Sequence, residues 1–192
     1  MRRLAAFALV AALAAPAAAT PPPLPVVDQS MTELQEDLAA GRRSAVAITR
    51  AYLARIEALN PKLAAVIAVN PNAETAAARA DFVLDLDRGA RDRRRWPGPL
   101  FGMPILIKDN IETFDPMATT AGSLALAGNV TGRDAPVVAR LRAAGVVILG
   151  KANLSEWANI RSDDSLSGWS AVGGQARNLQ SPKSRLPKLF PK

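Results

Sequence analysis

The spacing of apolar and polar positions divides the chain into short helical and strand-like blocks. Met31 to Ala40 reads as a helix ended by Gly41. Ser44 to Leu59 reads as a second, with Val46, Tyr52, Leu53, Ile56 and Leu59 approximating one apolar face. Asn60-Pro61 is expected to stop that helix, because the ring of a proline drives the preceding residue out of the helical region. Leu63 to Val69 is an apolar run suited to a strand, and Pro71 opens an alanine-rich helix over Asn72 to Arg88. A turn at Trp96 to Pro99 follows.

Met103 to Lys108 is a compact, isoleucine-rich run bounded by Gly102 and Asp109-Asn110, the pattern of a buried strand, which leaves Lys108 at its carboxyl end. Ala135 to Ala144 is expected to be helical and closed by Gly145, with Val146 to Leu149 as the next strand and a further helix around Leu154 to Ala158. Strands alternating with helices predict an α/β fold with a partly parallel sheet, whose strand order one sequence does not yield.

The ends of the chain carry a different pattern. Arg2 and Arg3, the apolar stretch Leu4 to Ala15 and the small residues Ala17-Ala18-Ala19 form the three parts of a secretory signal, so an exported chain, periplasmic or secreted and starting near Thr20, is expected. The apolar stretch is too short to span a bilayer, so no stable membrane anchor is expected after cleavage. Residues 20–29 open with four prolines in the six positions from Thr20 to Pro25, which suits an extended spacer. Residues 30–178 form the expected folded part, and 179–192 a basic tail.

Charge changes this picture little. The formal net charge is +7, but six bases lie in the signal and the last ten residues, and without them 18 basic residues face 17 acidic ones. The cluster from Arg88 to Arg95 contains Asp92 and runs into the Trp96 turn, as a solvated helix end does, so nucleic acid is not an expected partner.

The residue inventory restricts the chemistry further. With no histidine and no cysteine, a Ser-His-Asp triad, a Cys-His pair and a Cys/His zinc site are all excluded. No phosphate-binding glycine loop of either common type is present. Lys108 remains as a candidate general base, since a strand-end lysine favoured in its neutral form can accept a proton. The alternative is that it simply pairs with Asp109 or another carboxylate, and spacing alone leaves both readings open.

Several segments together resemble one family. Gly98-Pro-Leu-Phe-Gly-Met-Pro-Ile-Leu-Ile-Lys-Asp-Asn110 is similar to the lysine-bearing segment of the amidase signature family. Thr119 to Ser123, Asp134-Ala-Pro-Val-Val138, Leu141 to Lys151, Asn153-Leu-Ser-Glu-Trp157 and Gly168 to Gln175 follow in that family's order. The resemblance covers about Ser30 to Asn178. It implies an α/β fold of amino-terminal helices plus part of a layered mixed sheet, and hydrolysis of linear carbon-nitrogen amide bonds in a small amide or peptide-amide substrate, without cofactor or metal.

It also implies a Ser-Ser-Lys mechanism. A neutral lysine, here Lys108, deprotonates a bridging serine, which activates a nucleophilic serine. Both serines lie in glycine-rich stretches beyond the pattern that Gly173-Gly-Gln-Ala-Arg-Asn178 retains, and after Asn178 the sequence turns abruptly basic and proline-rich. This break reads as a frameshift or early end, giving a truncated chain that is expected to be inactive alone. The alternative is a non-catalytic amidase-like fragment or binding protein. Ser155, Ser162, Ser165, Ser167 and Ser170 precede those stretches and read as structural or substrate-side, with Ser170 suited to a turn hydrogen bond. Asp109 is expected to brace its own turn through Asx-type bonds, and Trp157 and Trp169 to pack.

Overall fold

The structure, a computed structural model, describes residues 29–89, 97–160, 163–164 and 166–178. The expected signal, most of the proline-rich spacer, Arg91 to Trp96, Ser162, Ser165 and the basic tail lie outside the described residues.

Helix α1 spans Met31–Ala39 and starts on a capping box. Ser30 Oγ accepts from the Glu33 amide at 3.2 Å while the Ser30 amide donates to Glu33 Oε2 at 2.6 Å. Helix α2 covers Ala45–Leu63. Its first amides are taken partly by Ser44 Oγ and partly by Asp81 of helix α3 (Ala73–Gly89), whose carboxylate accepts from Ala45 and Val46 at 2.5 and 3.0 Å. A carboxylate from another element thus occupies the positive end of α2.

Pro61 does not stop α2, contrary to the sequence expectation. It sits in the last turn, and the helix runs on to Leu63 before Ala64 turns left-handed at φ 48° with its amide on Asn60 O. Asn60 is itself helical, and its side chain does the terminating. Oδ1 accepts from Ala65 and Val66, and Nδ2 donates to Val66 O. The strand β1 that follows is short, Val66–Val69.

Strands β2 (Pro104–Lys108) and β3 (Val147–Ala152) pair in parallel, with β1 antiparallel on the far side of β3, so the sheet order is β1-β3-β2. This is the mixed α/β sheet that the alternation of elements predicts. Helix α4 (Pro136–Ala143) crosses between the two parallel strands, and β4 (Trp169–Ser170) with β5 (Gly174–Gln175) forms a separate small hairpin.

The two faces of the sheet are buried against different elements. On one, Met103, Val147 and Leu149 pack with Leu34, Leu38, Ile48 and Leu84 of α1 to α3. On the other, Ile107 and Ile148 pack with Met117 and Val138 of α4. Simple alternation from Val147 would place residue 151 on the first face. The register slips between Ile105 and Leu106, leaving Leu149 as an extra residue, and Lys151 pairs with Ile107 instead. The bulge therefore turns Lys151 to the α4 side.

β3 also extends beyond the apolar run that marks it in the sequence, through Gly150 and Lys151 to Ala152. Gly150 is required there by contact, because a Cβ would lie 2.2 Å from the carbonyl oxygen of Ala68 in β1. Gly150→Ala is expected to destabilise the fold by about 2 kcal/mol or more through forced strand separation. Gly128→Ala, where a Cβ meets nothing within 4 Å, should change stability by less than about 0.5 kcal/mol. Urea midpoints of the two variants compare the effects.

Candidate active site

Lys108 ends β2 with an exposed side chain, and its carbonyl accepts from the Ile111 amide at 2.9 Å to close the next turn. Its ammonium has no hydrogen bond or ion pair among the described residues. The bland pairing with Asp109 is therefore not the arrangement found.

Asp109 has another partner. Its amide prolongs the β2–β3 ladder by donating to Ala152 O at 3.0 Å, and its side chain is fully buried. Oδ2 accepts from the amide of Thr120 at 3.2 Å and from the Thr120 hydroxyl. Oδ1 has no hydrogen bond and faces Lys151 Nζ at 3.8 Å. Asp109 thus braces a segment eleven residues away rather than its own turn, correcting the Asx-type expectation.

Lys151 was not singled out by its sequence context, and it is the most telling residue of the region. Its side chain has no exposure, and Nζ donates to Ile111 O at 2.6 Å and to Thr119 Oγ1 at 2.8 Å. Loss of hydration pushes this amine below the usual lysine value, while Asp109, then Asp115 and Glu112, oppose that shift. A lysine directly after a buried apolar strand is the signal that could have found it, because an ammonium is almost never fully buried without a partner.

The neighbouring carboxylates are matched by arginines. Arg142 of α4 bridges Asp115 and Asp134 at 2.8 Å each, and its hydrogen bond holds the Asp134 carboxyl below the ordinary aspartate range. Arg133 pairs with Glu112 at 2.7 Å. Among the described residues, no group of three or more histidines, cysteines or carboxylates is arranged to hold a metal ion.

The segments recognised one by one in the sequence converge behind the end of β2. Ala121 donates to Asp109 O at 3.1 Å and its own carbonyl accepts from Trp157 at 2.9 Å. Gly122 O accepts from Val172 at 3.0 Å, and a Cβ on Gly122 would lie 2.6 Å from that of Ser170. Asn153 ties three strands of chain together through Ala64 O, Gly174 O and the Ser170 hydroxyl, which donates to its Oδ1 at 2.7 Å. Ser170 is buried and also accepts from Gly173 at 2.9 Å, the turn role expected of it. Ser155 accepts from Gly168, and Ser167 contacts the side-chain amide of Asn159.

Two expectations fail here. The helix around Leu154 to Ala158 is instead a single tight turn, Glu156–Asn159, in which Trp157, Ala158 and Asn159 are left-handed at φ 50°, 53° and 64°. Trp157 and Trp169 are 40% and 43% exposed, so neither is a packed core side chain. A separate groove of about 640 Å³ between α2 and the start of α3, lined by Arg50, Glu57, Val69 and Glu74, contains none of the candidate site residues.

The Amidase family profile matches residues 47–178. Over 127 residues the chain is 52% identical to a protein of Arabidopsis thaliana named as a probable amidase, covering 66% of this chain and 24% of that one. It is 46% identical over 132 residues to a polypeptide of the glutamyl-tRNA(Gln) amidotransferase of Chloroflexus aurantiacus, covering 67% and 25%. The solved peptide amidase of Stenotrophomonas maltophilia shares 50% identity and a TM-score of 0.72 over 80% of this chain and 30% of that one. An amidase family protein of Bacillus anthracis gives 35% and 0.69 over 80% and 29%. The chain therefore spans about a quarter of the sequence relatives and under a third of the solved structures.

Because the lysine at 151 holds its proton less readily when folded, the unfolded chain binds more protons as pH approaches 10.5 from below, and folding stability rises with pH in that window. Urea unfolding at stepped pH should show a steeper rise for the native chain than for Lys151→Met. Equal slopes would mean that the buried amine is not desolvated.

Proposed function

The chain belongs to the amidase family, and from that premise we propose that it is the lysine-bearing part of a hydrolase acting on linear amide bonds, in small amides or peptide amides. The observation that carries this reading is the placement of Lys108. An amine with no partner among the described residues ends a sheet strand, and immediately behind it the family-like segments 119–123, 153–157 and 168–175 are bonded together.

In this reading the neutral Lys108 amine accepts a proton from a serine, and that serine accepts one from the serine that attacks the amide carbonyl. The proton then returns to the leaving nitrogen, and water releases the acyl group. Lys108 is the only one of these three groups assigned to the described residues; Ser155, Ser167 and Ser170 are engaged in turn and loop hydrogen bonds.

A second reading is an amidase-like fragment that does not catalyse by itself, supported by the engagement of Ser155, Ser167 and Ser170 in structural hydrogen bonds. Export is part of the proposal too, supported by the charged, apolar and small-residue order of Met1 to Ala19.

Two measurements test these readings. Incubated with simple amides and peptide amides, the purified chain and its Lys108→Ala variant are both expected to give no turnover. Turnover in the native chain that Lys108→Ala abolishes would place a working nucleophile within these residues and overturn the inactive reading. After expression in a bacterium with a general secretory route, amino-terminal sequencing of the periplasmic product should begin near Thr20. A product that keeps Met1 and stays in the cytoplasm would refute export.

A further inference from the structure

A buried lysine that makes no contact with the Lys108 side chain needs an explanation, because an ion pair inside a protein rarely stabilises it relative to well-packed apolar residues. Lys151 is such a residue, on the α4 side of the sheet beside Ile107, while Lys108 follows Ile107 and points the other way by strand alternation.

Its three contacts all fall on one stretch of chain. Ile111 O belongs to the turn that begins at Lys108 O, Thr119 Oγ1 to the segment returning behind that turn, and Asp109 Oδ1 to the residue adjoining Lys108. Charge matching points the same way. Of the carboxylates that act on Lys151, Asp115 is held by Arg142 and Glu112 by Arg133, while Asp109 has no arginine among the described residues. The Lys151 ammonium is the cation that faces its unbonded oxygen.

We propose that Lys151 is a positioning residue for Lys108, holding the 109–111 turn in place and balancing the carboxylate of Asp109, the next residue in the chain. The proposal rests on the reading of Lys108 as the proton acceptor. A bare carboxylate one residue away would favour the charged form of Lys108 and so remove the neutral amine that proton transfer requires. With Lys151 opposite, the carboxylate can serve as an anchor for Thr120 without that effect.

Competitive labelling of the full chain with a trace amine-reactive reagent, resolved by peptide mass spectrometry across pH, reads the titration midpoint of Lys108 whether or not the chain turns over amides. Lys151→Met fills similar volume without the charge, and is expected to move the Lys108 midpoint upward by roughly half to one pH unit. Asp109→Asn is expected to move it downward, and the double variant to return it close to the native position. A purely structural role for Lys151 would leave the midpoint unmoved in a variant that still unfolds cooperatively in urea, and that result overturns the proposal. Should Lys151→Met not fold, the Asp109→Asn arm decides by the same criterion. A Lys108 midpoint in the native chain no lower than those of its other exposed lysines would count against Lys108 as the neutral proton acceptor, whereas a midpoint unmoved by Lys151→Met counts only against the coupling, so failure of one is distinguishable from failure of the other.

Discussion

An ammonium group without water must find its acceptors in the protein, and the Lys151 amine imposes that demand on the carboxyl end of the sheet. It is met by a main-chain carbonyl, a threonine hydroxyl and a carboxylate, drawn from residues 109, 111 and 119. The long excursion between β2 and α4 is thereby pulled back over the strand ends. Asp109 then reaches Thr120, Ala121 reaches Trp157, and Gly122 reaches Val172.

Backbone contacts that admit no side chain set the geometry of the sheet. Gly150 lets β1 approach β3, and the slip beside it reverses which face the following residue occupies. One inserted residue therefore decides that Lys151 meets Asp109 rather than the Leu38 and Ile48 core. At the other end of the same strand pair, Gly102 and Gly145 are both left-handed, at φ 73° and 81°, and Phe101 lies where a Cβ on Gly145 would sit. Lys108 occupies the end of a strand whose position is fixed at both ends.

The legible elements were those whose signal is local. The glycine after α1, the apolar run ending at Lys108 and the glycine after α4 each act within a few residues, and the elements they mark are found. Pro61 misled because the amide it lacks removes only one helical hydrogen bond, to the carbonyl of the exposed Glu57, and the helix is ended instead by the Asn60 side chain and the left-handed Ala64. The tight turn at Glu156–Asn159 escaped because its left-handed backbone is held by Ala121 and Glu156 contacts that no helical periodicity records. Trp157 and Trp169 were read as packing by their size, although nothing local says what lies over a side chain.

By itself the sequence determined the α/β class, the strand ending in Lys108, the chemistry excluded by having neither histidine nor cysteine, and the resemblance that points to amide hydrolysis. Those properties follow from residue type and short-range spacing. Only the tertiary structure decided which lysine faces Asp109, because that choice rests on the pairing of two strands far apart in the chain and on the bulge within it. Burial and charge compensation are properties of what the chain brings together, and no local pattern contains them.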